Sequence, residues 1–217
     1  MDKQTIIEKT ASFIKAKFEG EGSGHDWWHI YRVWKSAISI AEAEGADTFI
    51  VELGALLHDI ADHKFHNGSL DEGPKQTRNW LVEVGADTET VEKVCEIVAN
   101  VSFKGAGTQS VMTTLEGKVV QDADRLDAIG AIGIARTFAY GGFKQREIYN
   151  PEIPPVMHDD FESYKKNTAP TINHFYEKLL LLKDRMNTVT GKRIAEERHR
   201  YMEMFLEQFY QEWEGKR

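Results

Sequence analysis

Apolar residues recur with a helical period along almost the whole chain, and the two-residue alternation of a half-buried strand is almost absent. From Asp26 onward, Ile30, Val33, Trp34, Ala37 and Ala41 fall on one face of a helix. Asp26 is placed to cap that helix and Gly45 to stop it. A second segment opens at Asp47, carries Ile50, Leu53 and Leu57 as a stripe, and runs into His58-Asp59. A third begins near Pro74, a residue favoured in a first turn, and carries Trp80 and Leu81. After the turn Gly85-Ala86-Asp87, a fourth stripe runs through Val91, Val94, Cys95 and Val98. The apolar stretch Thr113–Gly141 reads as two helices meeting near Ile129, where Gly130 and Gly133 permit close packing. Two more helices are expected, over Asp159–Lys183 and Gly191–Trp213, the latter striped by Ile194, Tyr201, Phe205 and Phe209. One extended break, Phe143–His158, holds Pro151, Pro154 and Pro155 and has the length of a functional loop or lid. The expected fold class is therefore all-α, a helical bundle.

Length and composition narrow this further. At 217 residues the chain suits one large domain or one domain with an extension. With 41% hydrophobic and 11% aromatic residues it can build a sizeable core, which excludes whole-chain disorder. A net charge of −8 disfavours duplex nucleic acid and anionic lipid as partners, and leaves room for a local basic patch that takes a small phosphorylated ligand. The single cysteine, Cys95, excludes an internal disulfide framework and a thiolate zinc cluster. No signal peptide or membrane-length apolar run is visible, so a cytoplasmic location is expected. The acidic surface and the Pro-rich loop are compatible with a homodimer.

The residues able to do chemistry are unevenly placed. His29 lies on the helix after Asp26, His58-Asp59 ends the apolar run LGALLHD, and Asp124 sits in QDADRLDAIGAIG. Two imidazoles and two carboxylates form a ligand set for Mn, Fe, Ni, Zn or Mg without thiolate, and bundles build such sites from several helices. Neighbouring helical side chains diverge by about 100°, so His58 and Asp59 reach one ion only at a helix end that faces a cavity. Taken singly, each residue has an ordinary alternative: a core histidine, a chance dipeptide, a helix cap.

The order His29, His58-Asp59, Asp124 resembles the H…HD…D signature of the HD-domain metal-dependent phosphohydrolases. GHDWWHIYRVW at Gly24–Trp34, LLHDIADHKF at Leu56–Phe65 and QDADRLDAIGAIGIARTFAYGG at Gln121–Gly142 are similar to the stand-alone bacterial HD hydrolases, some of which are nucleotide pyrophosphohydrolases. The C-terminal HFYEKLLLLKDRMNT and AEERHRYMEMFLEQFY also look like that branch. The resemblance implies a single HD-type domain over 1–217, with a motif core at about 24–142 and a helical extension at about 159–213. It makes His29, His58, Asp59 and Asp124 the ligands of one divalent ion, and sets His25 aside as a decoy beside the capping Asp26. Mn²⁺ or Mg²⁺ is expected for activity, with Fe, Ni or Zn as purified alternatives because affinity follows availability.

Such an ion would activate water and polarise a phosphoryl group, which makes phosphoester or phosphoanhydride hydrolysis the expected reaction. Asp62, one turn past Asp59, is the candidate base, with Lys64 beside it. Lys104 in VSFKGAG, Arg78 and Arg125 are candidate substrate-binding cations, since phosphate-rich ligands need charge beyond the metal. Asp127 is expected to pair with an Arg or Lys. Trp27, Trp28, Trp34, Tyr140 and Phe143 are candidates for stacking on a base, Trp34 being also a core candidate. The leading substrate is a nucleoside triphosphate cleaved to monophosphate and pyrophosphate. The alternatives are a 5′-nucleotidase or phosphodiesterase on the same metal, and a non-catalytic ligand-binding HD module.

Overall fold

The computed structural model describes residues 1–20, 26–61, 71–101, 112–157 and 168–216. Among them are nine α-helices, one 3-10 helix and no strand. They are α1 (Lys3–Lys17), α2 (Trp27–Glu44), α3 (Thr48–Leu57), α4 (Glu72–Glu83), α5 (Thr88–Asn100), α6 (Leu115–Asp127), α7 (Gly130–Phe143), α8 (Asn173–Glu177) and α9 (Val189–Trp213), with the 3-10 helix at Leu179–Arg185 between the last two. None of these helices is long and apolar enough to cross a membrane.

The described residues gather into two compact units, the first up to residue 101 together with 112–124, the second comprising 125–157 and 168–216. In the first, α3 is the central element and packs against α1, α2 and α5. Its sequence TFIVELGALL explains why: Phe49, Ile50, Val51, Leu53, Ala55, Leu56 and Leu57 are all buried, and a helix apolar around its circumference belongs inside. The expected stripe of Ile50, Leu53 and Leu57 is thus only part of what α3 buries. Asp47 caps it by accepting from the Phe49 N–H at 3.0 Å. On α2, Ile30, Val33, Ala37 and Ala41 are buried as the periodicity requires, and Trp34 is half-buried, its Nε1 donating to Glu52 at 2.9 Å. Asp26 accepts from the His29 N–H at 2.8 Å, and Gly45 ends the helix in the left-handed region at φ 73°. Asp87 caps α5, whose buried face holds Val91, Val94, Cys95 and Val98 as expected.

In the second unit the chain departs from two expectations. The helix expected over 159–183 is not continuous: residues 168–172 are non-helical, α8 has five residues, and a 3-10 stretch follows. Pro170 accounts for the non-helical stretch at 168–172, since it lacks an N–H and disfavours helical backbone at Ala169. On α9 the buried residues are Gly191, Ala195, His199, Met202 and Leu206, while Tyr201, expected on the inner stripe, is exposed. Phe205, half-buried, still packs on Phe138 and Phe175 at centroid distances of 5.9 and 5.8 Å.

The Pro-rich break is pinned rather than loose over its described part. The Glu147 and Ile148 carbonyls accept from the Thr171 and Ile172 N–H groups at 2.8 and 3.0 Å. Asn173 Nδ2 donates to the Ile153 carbonyl at 2.9 Å, and the Val156 N–H donates to Glu177 at 3.1 Å. The junction expected near Ile129 is present, Ile129 being the N-cap of α7. A Cβ built on Gly133 would stand 2.2 Å from the Ala128 carbonyl oxygen, a backbone atom that cannot rotate away. Gly133→Ala is therefore expected to destabilise the protein by about 1–3 kcal/mol, read as a lower urea midpoint at unchanged slope.

Candidate metal centre

α3 ends at Leu57 and His58 is its C-cap, so the His58-Asp59 pair turns off the end of the most buried helix. His58 keeps helical backbone angles (φ −56°, ψ −34°), and the pair stands at the helix end, the place where the sequence reading required it. His58 Nε2 and Asp59 Oδ2 stand 3.4 Å apart. From α2, His29 brings its Nε2 to 3.3 Å from that of His58 and 3.5 Å from Asp59 Oδ2. From α6, Asp124 Oδ1 lies 3.6 Å from His29 Nε2 and 3.9 Å from His58 Nε2. His29, His58 and Asp59 form a cluster whose ligand atoms all lie within 4.8 Å of one another.

The donor set fits a divalent cation on three counts. Ligand bonds of about 2.1 Å give ligand–ligand edges of roughly 3.0–3.4 Å in octahedral or tetrahedral geometry, near the spacings of the cluster. The two imidazoles meet at an interplanar angle of 70° with centroids 5.3 Å apart, so their ring edges converge instead of stacking. His58 Nδ1 lies 2.7 Å from the Ala55 carbonyl, which can only accept; Nδ1 therefore carries the hydrogen, and Nε2 of the neutral ring presents a lone pair to the cluster. A divalent cation among these atoms would accept the nitrogen lone pairs and balance the two carboxylate charges.

Exposure is graded across the centre. The imidazole side chains are 1% accessible, that of Asp59 14% and that of Asp124 30%, so the opening lies on the carboxylate side.

Other expected site residues have different surroundings. Arg78 joins α4 to α5 through both guanidinium arms, at 2.6 and 2.8 Å from Glu92, and holds that carboxyl below its ordinary pKa. Arg125 donates to the Arg185 carbonyl. Neither contact involves the metal cluster. The pairing expected of Asp127 is made by Arg136, at 2.7 Å to Oδ2. Trp27, Tyr31 and Trp34 form a tilted to edge-on ladder with centroid spacings of 6.0 and 6.3 Å. At about 100° per residue this ladder lies on the side of α2 turned away from His29, so Trp27 and Trp34 do not supply a stacking surface on the His29 face. Asp62, Lys64, Lys104 and the decoy His25 lie outside the described residues.

Sequence reasoning missed two contributors. The Ala55 carbonyl acts through backbone and has no residue signature. Gln121, whose amide reaches the end of α5, was visible only as a polar residue on an otherwise apolar helix turn.

Comparison with known proteins converges with this geometry. A family model described as "HD domain" matches residues 27–129. An uncharacterised protein of Bacillus subtilis, YpgQ, is 39% identical over 96% of this chain and 94% of its own length. The crystal structure of an HD-superfamily hydrolase from Bacillus thuringiensis is 52% identical, covers 98% of this chain and 99% of its own, and superposes with a TM-score of 0.79. YpgQ solved in complex with ADP is 38% identical, covers 95% of this chain and 97% of its own, and gives a TM-score of 0.74.

Proposed function

The chain belongs to the HD domain family, and from that premise we propose that it hydrolyses a nucleoside triphosphate to a monophosphate and pyrophosphate with one divalent ion, Mn²⁺ or Mg²⁺. The observation that carries this reading is the cluster of His29, His58 and Asp59, with Asp124 Oδ1 at 3.6 and 3.9 Å from the two imidazole Nε2 atoms. The ADP held by the similar YpgQ supports a nucleotide as substrate.

A divalent cation in this centre supplies Lewis-acid polarisation of the phosphoryl group and brings the pKa of water towards neutrality. The chain's own residues do the rest. His29 and His58 give neutral nitrogen donors, and the two carboxylates balance a double positive charge. The Ala55 carbonyl holds the His58 ring in the tautomer that donates from Nε2. Asp124, on the exposed side, borders the path by which a phosphate chain arrives. We assign Asp62 to take the proton from the attacking water, and Lys64 and Lys104 to offset triphosphate charge. Arg78 and Arg125, engaged with Glu92 and the Arg185 carbonyl, add positive potential at longer range.

The reaction is tested by incubating the purified protein with Mn²⁺ and a panel of ribo- and deoxynucleoside triphosphates. Pyrophosphate and monophosphate are expected in equal amounts. Orthophosphate released from a monophosphate would replace the reading with a 5′-nucleotidase, and ion binding without turnover of any phosphate compound would replace it with a ligand-binding module.

A further inference from the structure

Gln121 is 2% exposed and sits three residues before Asp124 on α6. Residues so spaced are neighbours on one helix face. The Gln121 Nε2 donates to the Asn100 and Val101 carbonyls, at 3.3 Å each, and the amide nitrogen has two hydrogens to give. Those carbonyls belong to the end of α5, where the last turn of a helix has no intrahelical donors of its own. One side chain therefore fixes the rotation of α6 against the end of α5.

That rotation bears on the metal centre. A carboxylate oxygen lies roughly 6 Å from its helix axis, so a turn of about 10° displaces it by about 1 Å. Metal–ligand distances tolerate only about 0.2 Å. We infer that Gln121 is a positioning residue for the metal centre: by tying the Asn100 and Val101 carbonyls it holds the Asp124 carboxylate beside the His29 and His58 Nε2 atoms, at 3.6 and 3.9 Å. The inference rests on the proposed function, in which Asp124 is a ligand.

The test uses the full-length protein, stripped of metal and titrated with Mn²⁺ by calorimetry, alongside thermal melting. Gln121→Ala and the volume-matched Gln121→Met are both expected to weaken Mn²⁺ binding at least tenfold, in the range found when partners of metal ligands are removed. Val94→Ala, which trims a buried α5 residue two turns away from the tie, is expected to lower the melting temperature and keep wild-type affinity. If either Gln121 variant melts lower yet binds Mn²⁺ as tightly as wild type, Gln121 is a structural tie alone and the inference falls. If the wild-type protein binds no divalent ion, the proposed function falls with it.

Discussion

Asp59→Asn and His58→Ala should each lose triphosphate hydrolysis by about three orders of magnitude while retaining helical content and cooperative melting. Lewis-acid stabilisation supplies several kcal/mol, and every 1.36 kcal/mol is tenfold in rate. Asp59→Asn keeps the size of the side chain and removes one of the two charges that balance the ion. His58→Ala removes the nitrogen whose direction is set by Ala55. Asp59 lies beyond the last turn of α3, and His58 touches that turn only through the Ala55 carbonyl, so most of the helix stands without them. Circular dichroism beside initial rates at saturating Mn²⁺ separates lost chemistry from lost fold. A variant retaining more than a tenth of the wild-type rate would remove this centre from the reaction.

The second large effect is on stability. The Nε2 atoms of two buried imidazoles stand 3.3 Å apart, and each has an Asp59 oxygen at 3.4–3.5 Å and an Asp124 oxygen at 3.6–3.9 Å. An ion that binds only the folded state at a hundred times its dissociation constant stabilises it by about 2.7 kcal/mol. For a chain of this size that corresponds to a rise in melting temperature of roughly 5–10 °C. Mn²⁺ added to chelator-treated protein should produce that rise, and Asp124→Ala should abolish most of it. An equal rise in the Asp124→Ala protein would place the stabilising ion elsewhere.

Much of the fold was legible because its signals are local. Asp26, Asp47 and Asp87 cap helices where side-chain chemistry says they should, and Gly45 stops one. The buried faces of α2 and α5 follow directly from apolar spacing. Where the reading slipped, a stronger signal masked a quieter one. On α9 the exposed Tyr201 was grouped with Phe205, which does pack against Phe138 and Phe175, while Gly191 and Ala195 on the buried face have no bulky side chain to announce them. Around α8 the apolar run Leu179–Leu182 outweighed Pro170 upstream of it.

The four-residue centre was legible in a different way. Its members are ordinary one by one, and their spacing in the chain carries no distances. The signature order made them a set, and the fold clusters His29, His58 and Asp59 with Asp124 beside the two imidazoles. What orients them was hidden because it is carried by main-chain carbonyls, at Ala55 for His58 and at Asn100 and Val101 for Gln121. A carbonyl is present at every position, so no residue type announces which one matters.

The placement of His58-Asp59 at the tip of a largely interior helix also shapes how such a protein can diversify. α3 has almost no outward face on which neutral substitutions could accumulate, so drift has little means of nudging the ligands. Changes of preference among phosphorylated compounds must then arise in segments beyond the helix ends, and the cation-holding chemistry stays constant while the clientele changes.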